Sequence, residues 1–304
     1  RRPPPRSASA ARTAARCRTA EDEGAPGVAG RPRVAKDAAY ARAVREAWAA
    51  DEVVRAAAGP PTASPLVYED AGVQLHGRLV RPAEPNGGGV VLLHTAAGPH
   101  DLFLHWKAEA LAARGYAALV ADLLGDDAGL AWDPAWSAAA RRPLTEDRSL
   151  SRRRARAAVA ALAEVPGVDA GRIGAIGFCF GGRAVLDLAR LGEESGAAAA
   201  VSFHGILDGG ALPAADMSSP AAPRVLICHG DADPFVSAEG RASCEAQLRA
   251  SGARWEMLIF GGVRHGFMNP AQDLNADASF GFDAGAAARS WAAAEELLGR
   301  RLGA

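Results

Sequence analysis

The chain has 304 residues, 49% of them hydrophobic, with 34 Lys and Arg against 35 Asp and Glu. A net charge of −1 argues against a nucleic-acid partner, and no apolar run approaches the roughly 20 residues of a membrane span, so a soluble protein is expected. The four cysteines, Cys17, Cys179, Cys228 and Cys244, are spaced too widely for a disulfide framework or a zinc site, which points to a reducing compartment.

Residues 1–35 do not read as folded. The first twenty carry six arginines, four Ser/Thr and no acid. Such an Arg-rich, acid-poor leader fits an organellar transit peptide, or alternatively a solvated disordered tail. It has no apolar h-region, so a cytoplasmic or organellar location is expected rather than secretion. Residues 36–61 have helical propensity and form an N-terminal helical extension, with Val44, Trp48 and Val53/Val54 as its packing stripe and Gly59-Pro60-Pro61 as its end.

From residue 62 to 304 the pattern is that of a single α/β domain. Two strands near Leu66–Arg81 are joined by a turn at Asp70-Ala71-Gly72. Val90–His94 and Tyr116–Ala121 are near-continuous apolar runs, which suit parallel strands covered on both faces. Between them lies the helix Leu102–Arg114. Residues 122–146 read as an irregular excursion carrying Trp132 and Trp136, and an Arg/Ala-rich helix follows at about 147–164. Strands at Ile173–Ile176, Ala197–Phe203, Arg224–His229 and Arg254–Phe260 then alternate with helices at Ala238–Ser251 and Ala284–Leu302. The expected fold is a mostly parallel sheet with helices on both faces, and its site should lie outside the carboxyl ends of the strands.

The stretch Gly177-Phe178-Cys179-Phe180-Gly181-Gly182 joins the strand at 173 to a helical pattern. This is G-x-S-x-G, the nucleophile elbow, with cysteine in place of serine. Glycines let strand and helix approach closely, and the helix N-terminus favours the thiolate. Read alone, Cys179 could equally be an inert packed cysteine. After the strand at 224 comes Gly230-Asp231-Ala232-Asp233-Pro234, and after the strand at 254 comes Arg264-His265-Gly266-Phe267. Nucleophile, acid and histidine in this order, each at a strand end, is the order of α/β-hydrolases. Asp233 is favoured over Asp231 as the acid, because it lies further out on the loop and Pro234 fixes its backbone.

GFCFGG, GDADPFV and RHGF, in this order, resemble the dienelactone hydrolase family of the α/β-hydrolase superfamily. The resemblance implies a cofactor-free, metal-free hydrolase of a small-molecule carboxylic ester or lactone, acting through a covalent acyl-enzyme. Cys179 would be the nucleophile, Asp233 the acid and His265 the base. The oxyanion hole would use the backbone N–H groups of Phe180 and Ala96. Two positions depart from the family's pattern. Thr95 stands where a glutamate commonly helps control the thiol, and Asn269 stands where an arginine clamps a substrate carboxylate, with Arg148 or Arg152 as other candidates for that role. Thr95, Trp132, Trp136 and Asn269 are the candidate pocket residues. Two alternatives stay open: a thioesterase or acyl transferase with the same triad, and a non-catalytic relative that binds a ligand or senses oxidants. No membrane or nucleic-acid partner is expected.

Overall fold

The computed structural model describes residues 38–55, 59–125, 134–208 and 214–303; the leader at 1–35 lies outside them. The eight strands are β1 (Thr62–Asp70), β2 (Val73–Arg81), β3 (Gly89–Leu93), β4 (Ala117–Ala121), β5 (Ile173–Phe178), β6 (Ala199–Phe203), β7 (Arg224–Gly230) and β8 (Trp255–Phe260). They lie in the order β1-β2-β4-β3-β5-β6-β7-β8. β2 runs antiparallel to β1 and β4, and all pairs from β4 to β8 are parallel. The β1–β2 hairpin turns through Ala71 and Gly72, at φ +50° and +86°. Positive φ at both positions is the type I′ pattern, whose twist matches that of the flanking strands.

The apolar runs of the sequence become the centre of the sheet. β3, β4, β5 and β6 are buried along their whole length. Their side chains alternate between two cores. Val91, Leu93, Ile173 and Ala175 face one, and Val90, Leu92, Ile176 and Phe178 face the other. The first core is closed by α3 (Pro134–Glu146), α4 (Arg148–Ala163), α5 (Phe180–Ala189) and α6 (Ala238–Ala250), and the second by α1 (Ala38–Arg55), α2 (Leu102–Ala112) and α7 (Ala284–Leu302). Each fully buried aliphatic or aromatic side chain contributes about 1.5–3 kcal/mol relative to exposure, so burial on both faces of the central strands dominates the fold.

Local sequence starts the helices where the structure has them. Asp101, Asp147, Ser237 and Asp283 each accept a backbone N–H from the first turn of α2, α4, α6 and α7, which satisfies donors that the helix itself cannot. One expectation needs correction. The excursion at 122–146 is not irregular throughout, because α3 occupies its second half and holds Pro143 inside the helix. The N-terminal extension packs on the domain, and its stripe includes a residue not anticipated. Tyr40 and Val44 of α1 are 2% and 0% exposed and belong to the second core. Val44 was expected on the packing stripe, and Tyr40 was not.

Candidate active site

β5 is flanked by β3 and β6, and its carboxyl end turns directly into α5. The turn admits no side chains at its glycines. A Cβ on Gly177 would sit 1.9 Å from the Gly181 carbonyl oxygen, and one on Gly181 would sit 2.2 Å from that of Leu93. Cys179 occupies the apex at φ +56°, ψ −115°, a conformation that costs a non-glycine residue on the order of 1–3 kcal/mol. The flanking structure holds it there. Its N–H donates to the Phe203 carbonyl at 3.1 Å, and its own carbonyl accepts from the Arg183 N–H at 3.2 Å. The thiol is thereby presented, partly exposed, at the carboxyl end of the sheet.

The loops after β7 and β8 bring the acid and the histidine to the same place. The Nε2 atom of His265 lies 3.0 Å from the Cys179 sulfur. Its Nδ1 lies 2.6 Å from Asp233 Oδ2. The other oxygen of Asp233 accepts the Phe235 N–H at 2.9 Å, so the carboxylate is fixed at both ends. An ionised carboxylate can only accept, which puts the imidazole proton on Nδ1 and points Nε2 at the thiol. Asp231 is different: its side chain is 57% exposed and faces Arg241 at 3.5 Å. The helix that either aspartate could have capped is capped by Ser237 instead.

His265 is 2% exposed and boxed by three rings, Phe235, His204 and Phe280, with centroids at 4.9, 5.2 and 5.3 Å. Its main chain is pinned by N–H donation to Ser279 and by acceptance from Gly281. Burial opposes a charge on the imidazole, but the adjacent Cys179 and Asp233 outweigh it and hold His265 well above the ordinary histidine range. The thiol moves the other way. Burial would raise it, yet His265, the Arg141 charge and a hydrogen bond from the Phe180 N–H together bring Cys179 below its usual value. The two shifts are opposite in sign and belong to one coupled pair, and both favour a thiolate beside an imidazolium over the neutral pair.

The loop after β3 closes the other side. Thr95 is half-buried, and its hydroxyl accepts the Ala97 N–H at 3.1 Å while its carbonyl accepts from Gly98 and from Nδ1–H of His94. His94 is fully buried and its Nε2 accepts the Leu123 N–H. Thr95 and His94 therefore shape the loop on which Ala96 stands.

The other candidates are engaged elsewhere or undescribed. Asn269 is 4% exposed with both ends of its amide engaged, Oδ1 accepting from Ala271 and Nδ2 donating to the Tyr40 hydroxyl. Arg148, the other candidate for a carboxylate clamp, is tied to Asp187 and Asp208. Trp132 lies outside the described residues, and so does the side chain of Trp136, on α3. Cys228 and Cys244 are fully buried, and burial pushes the Cys228 thiol up to about 12. A cavity of about 350 Å³ opens at the starts of β7 and β8, lined by Val225, Arg254, Trp255 and Arg300 among others. That is the far end of the sheet from Cys179.

Sequence reasoning missed Arg141. It lies on α3 with its guanidinium carbon 5.9 Å from the Phe180 ring, and its charge reaches both Cys179 and His94. A signal was available: Arg142 pairs with Glu146 at i,i+4, so the preceding arginine points about 100° away around the helix.

Comparison with known proteins accords with this geometry. A dienelactone hydrolase-like promiscuous phosphotriesterase from metagenomic libraries is 34% identical, with a TM-score of 0.71 over 80% of this chain and 99% of that one. The dienelactone hydrolase of Anabaena variabilis shares the fold at 21% identity, with a TM-score of 0.54 over 78% of this chain and 97% of that one. An uncharacterized protein of Caenorhabditis elegans is 36% identical over 159 residues, which is 51% of this chain and 97% of the other. The sequence profile of the dienelactone hydrolase family matches residues 75–302. With an elbow, an eight-stranded sheet and a matched profile of this extent, the chain belongs to the dienelactone hydrolase family, hydrolases of ester bonds built on the α/β-hydrolase fold.

Proposed function

We propose that the protein hydrolyses a carboxylic ester or lactone through a Cys179–His265–Asp233 triad. The observation that carries this reading is the unbroken line of contacts, 3.0 Å from sulfur to Nε2 and 2.6 Å from Nδ1 to carboxylate. The thiolate of Cys179 attacks the carbonyl carbon, and the oxygen takes the electron pair. The Phe180 N–H, already bonded to the sulfur side of the elbow, and the N–H of Ala96 hold that oxyanion. The tetrahedral intermediate collapses as His265 gives its proton to the departing alkoxide, which leaves a thioester and a neutral imidazole. His265 then takes a proton from water, the hydroxide attacks the thioester, and the acid leaves as thiolate and imidazolium re-form. Asp233 keeps Nδ1 protonated throughout and stabilises the imidazolium.

Thr95 carries no acid–base role in this scheme. Its hydroxyl is committed to the loop backbone, so ionisation of the thiol rests on His265, Arg141 and the elbow.

The test is turnover of short p-nitrophenyl esters, a lactone panel and a phosphotriester, the last because a relative of 34% identity is named for that activity. Wild-type protein should turn over at least one carboxylic ester or lactone, and Cys179→Ala should lose the activity by about 10³-fold or more. Undiminished turnover in Cys179→Ala would overturn the nucleophile. A wild-type protein inert to the whole panel, with a thiol that iodoacetamide does not alkylate near neutral pH, would overturn the hydrolase reading.

A further inference from the structure

Two of the loops that carry the chemistry outside the elbow, the one after β3 and the one after β8, are joined by a residue from neither. Tyr40 of α1 is 2% exposed. Its hydroxyl donates to Asp101 Oδ1 at 2.6 Å and accepts from Asn269 Nδ2 at 2.9 Å. Asp101 ends the loop that holds Ala96, and the same Oδ1 caps α2 by accepting the Phe103 N–H at 3.2 Å. Asn269 ends the loop that begins with His265. It caps the short 3-10 turn Pro270–Leu274 through the Ala271 N–H at 3.0 Å, and its own N–H donates to the Gly266 carbonyl at 3.0 Å.

We propose that Tyr40 is a positioning residue for the active site, and that α1 is a working part of the enzyme. The statement rests on the triad reading above. α1 lies ahead of residue 75, where the family match begins, so this tie is an addition to the matched domain.

The physical argument runs through the imidazole. His265 is anchored by the Ser279 and Gly281 backbone on the side toward Phe280. On the side toward Gly266 the chain is held at Phe267, which is fully buried and whose carbonyl accepts the Asp283 N–H at 3.2 Å, and then at Asn269. If Asn269 loses the Tyr40 hydroxyl, a buried amide N–H is left without its acceptor, and the end of the segment 266–269 loses one of its two anchors. The contact at stake is the 3.0 Å separation of Nε2 and sulfur. Displacement of a reacting group by about 1 Å costs on the order of 10²-fold in rate, so a fraction of that movement is measurable. The same loss removes one of the bonds that Asp101 Oδ1 accepts at the end of the loop bearing Ala96, while its cap on α2 remains.

Tyr40→Phe in the full chain is the discriminating variant, because the ring still fills its place in the core. The expected result on p-nitrophenyl butyrate is a fall in kcat of about 5–30-fold, with KM within about twofold. The rate of iodoacetamide alkylation of Cys179 should rise at higher pH than in the wild type, since a displaced imidazole holds the thiolate less well. Asp101→Asn keeps an Oδ1 acceptor for Tyr40 and should lose less turnover than Asp101→Ala. Two outcomes overturn the proposal. One is a Tyr40→Phe protein whose alkylation profile and kcat both match the wild type. The other is a kcat that falls only in step with the fraction of titratable thiol, which would mark simple unfolding. A wild-type protein with no ester turnover would instead sink the hydrolase reading, and the alkylation profiles would still decide whether Tyr40 positions His265.

Discussion

Arg148 at the start of α4 grips Asp187 on the elbow helix at two points, Nε to Oδ2 at 2.9 Å and an NH2 to Oδ1 at 2.6 Å. Asp187 is 1% exposed, and Arg190 donates to its Oδ1 at 2.8 Å. The third arm of Arg148 reaches Asp208 at 2.7 Å. This braces the helix whose first residue follows Cys179. Removing one partner leaves a buried carboxylate short of compensation, which costs about 3–5 kcal/mol where nothing else remains; with Arg190 still in place, Arg148→Met should cost about 2–3 kcal/mol. Urea denaturation measures this directly. Because Arg148 is engaged here, KM for anionic and neutral esters should shift by the same factor. A rise confined to anionic esters would make it a substrate-binding group instead.

Much of the fold was legible because its main determinants are local or periodic. Apolar runs such as Val90-Val91-Leu92-Leu93 have few fates other than a buried parallel strand, and the turns and caps at Asp70–Gly72, Asp101 and Asp283 carry their signals within four residues. The proximity of Cys179, His265 and Asp233 could be anticipated from chain order and strand ends. Ties made only by the folded chain were hidden. Nothing near Asn269 points to Tyr40, 229 residues away, and its place after the histidine suggested a pocket. The helix α3 was obscured by Pro134 and Pro143, although a proline at the first position is favourable, and with that helix went the direction of Arg141.

The elbow makes a sharp steric prediction. Gly181→Ala puts a methyl carbon 2.2 Å from the Leu93 carbonyl oxygen. Backbone cannot yield that far without parting α5 from β3, so the variant should lose more than about 4 kcal/mol or fail to fold. Gly261→Ala is the control, since nothing lies within 4 Å of its Cβ, and it should stay within about 0.5 kcal/mol of wild type. Thermal melts of the pair check both.

The choice between the two aspartates can be decided by isosteric change. Asp233→Asn removes the charge behind His265 and lets the amide favour the wrong tautomer, so kcat should fall by about 10³-fold or more. Asp231→Asn loses only an exposed contact of 3.5 Å with Arg241 and should leave kcat within about twofold, with stability changed by less than about 0.5 kcal/mol. The reverse order of effects would reassign the acid.

The pH dependence follows from two shifts of opposite sign in one pair. Cys179 is brought down and His265 is held up, so the thiolate–imidazolium form spans the interval between the lowered thiol value and the raised imidazole value. Below that interval the sulfur is protonated and cannot attack. Above it the thiolate persists, but His265 has no proton for the departing alkoxide. Turnover should therefore rise through the first value and fall through the second, whereas alkylation by iodoacetamide, which needs no proton donor, should rise once and stay high. In the wild type the alkylation limb should lie below the ordinary thiol value of about 8.5. In His265→Ala it should move above the wild-type position, because the main influence that opposes burial is gone. Arg141→Met should move it in the same direction by a smaller amount, since its charge acts on the same sulfur more weakly than the histidine does. A His265→Ala profile that overlays the wild type would show that the sulfur owes its ionisation to the elbow alone, and the ion pair would have to be given up.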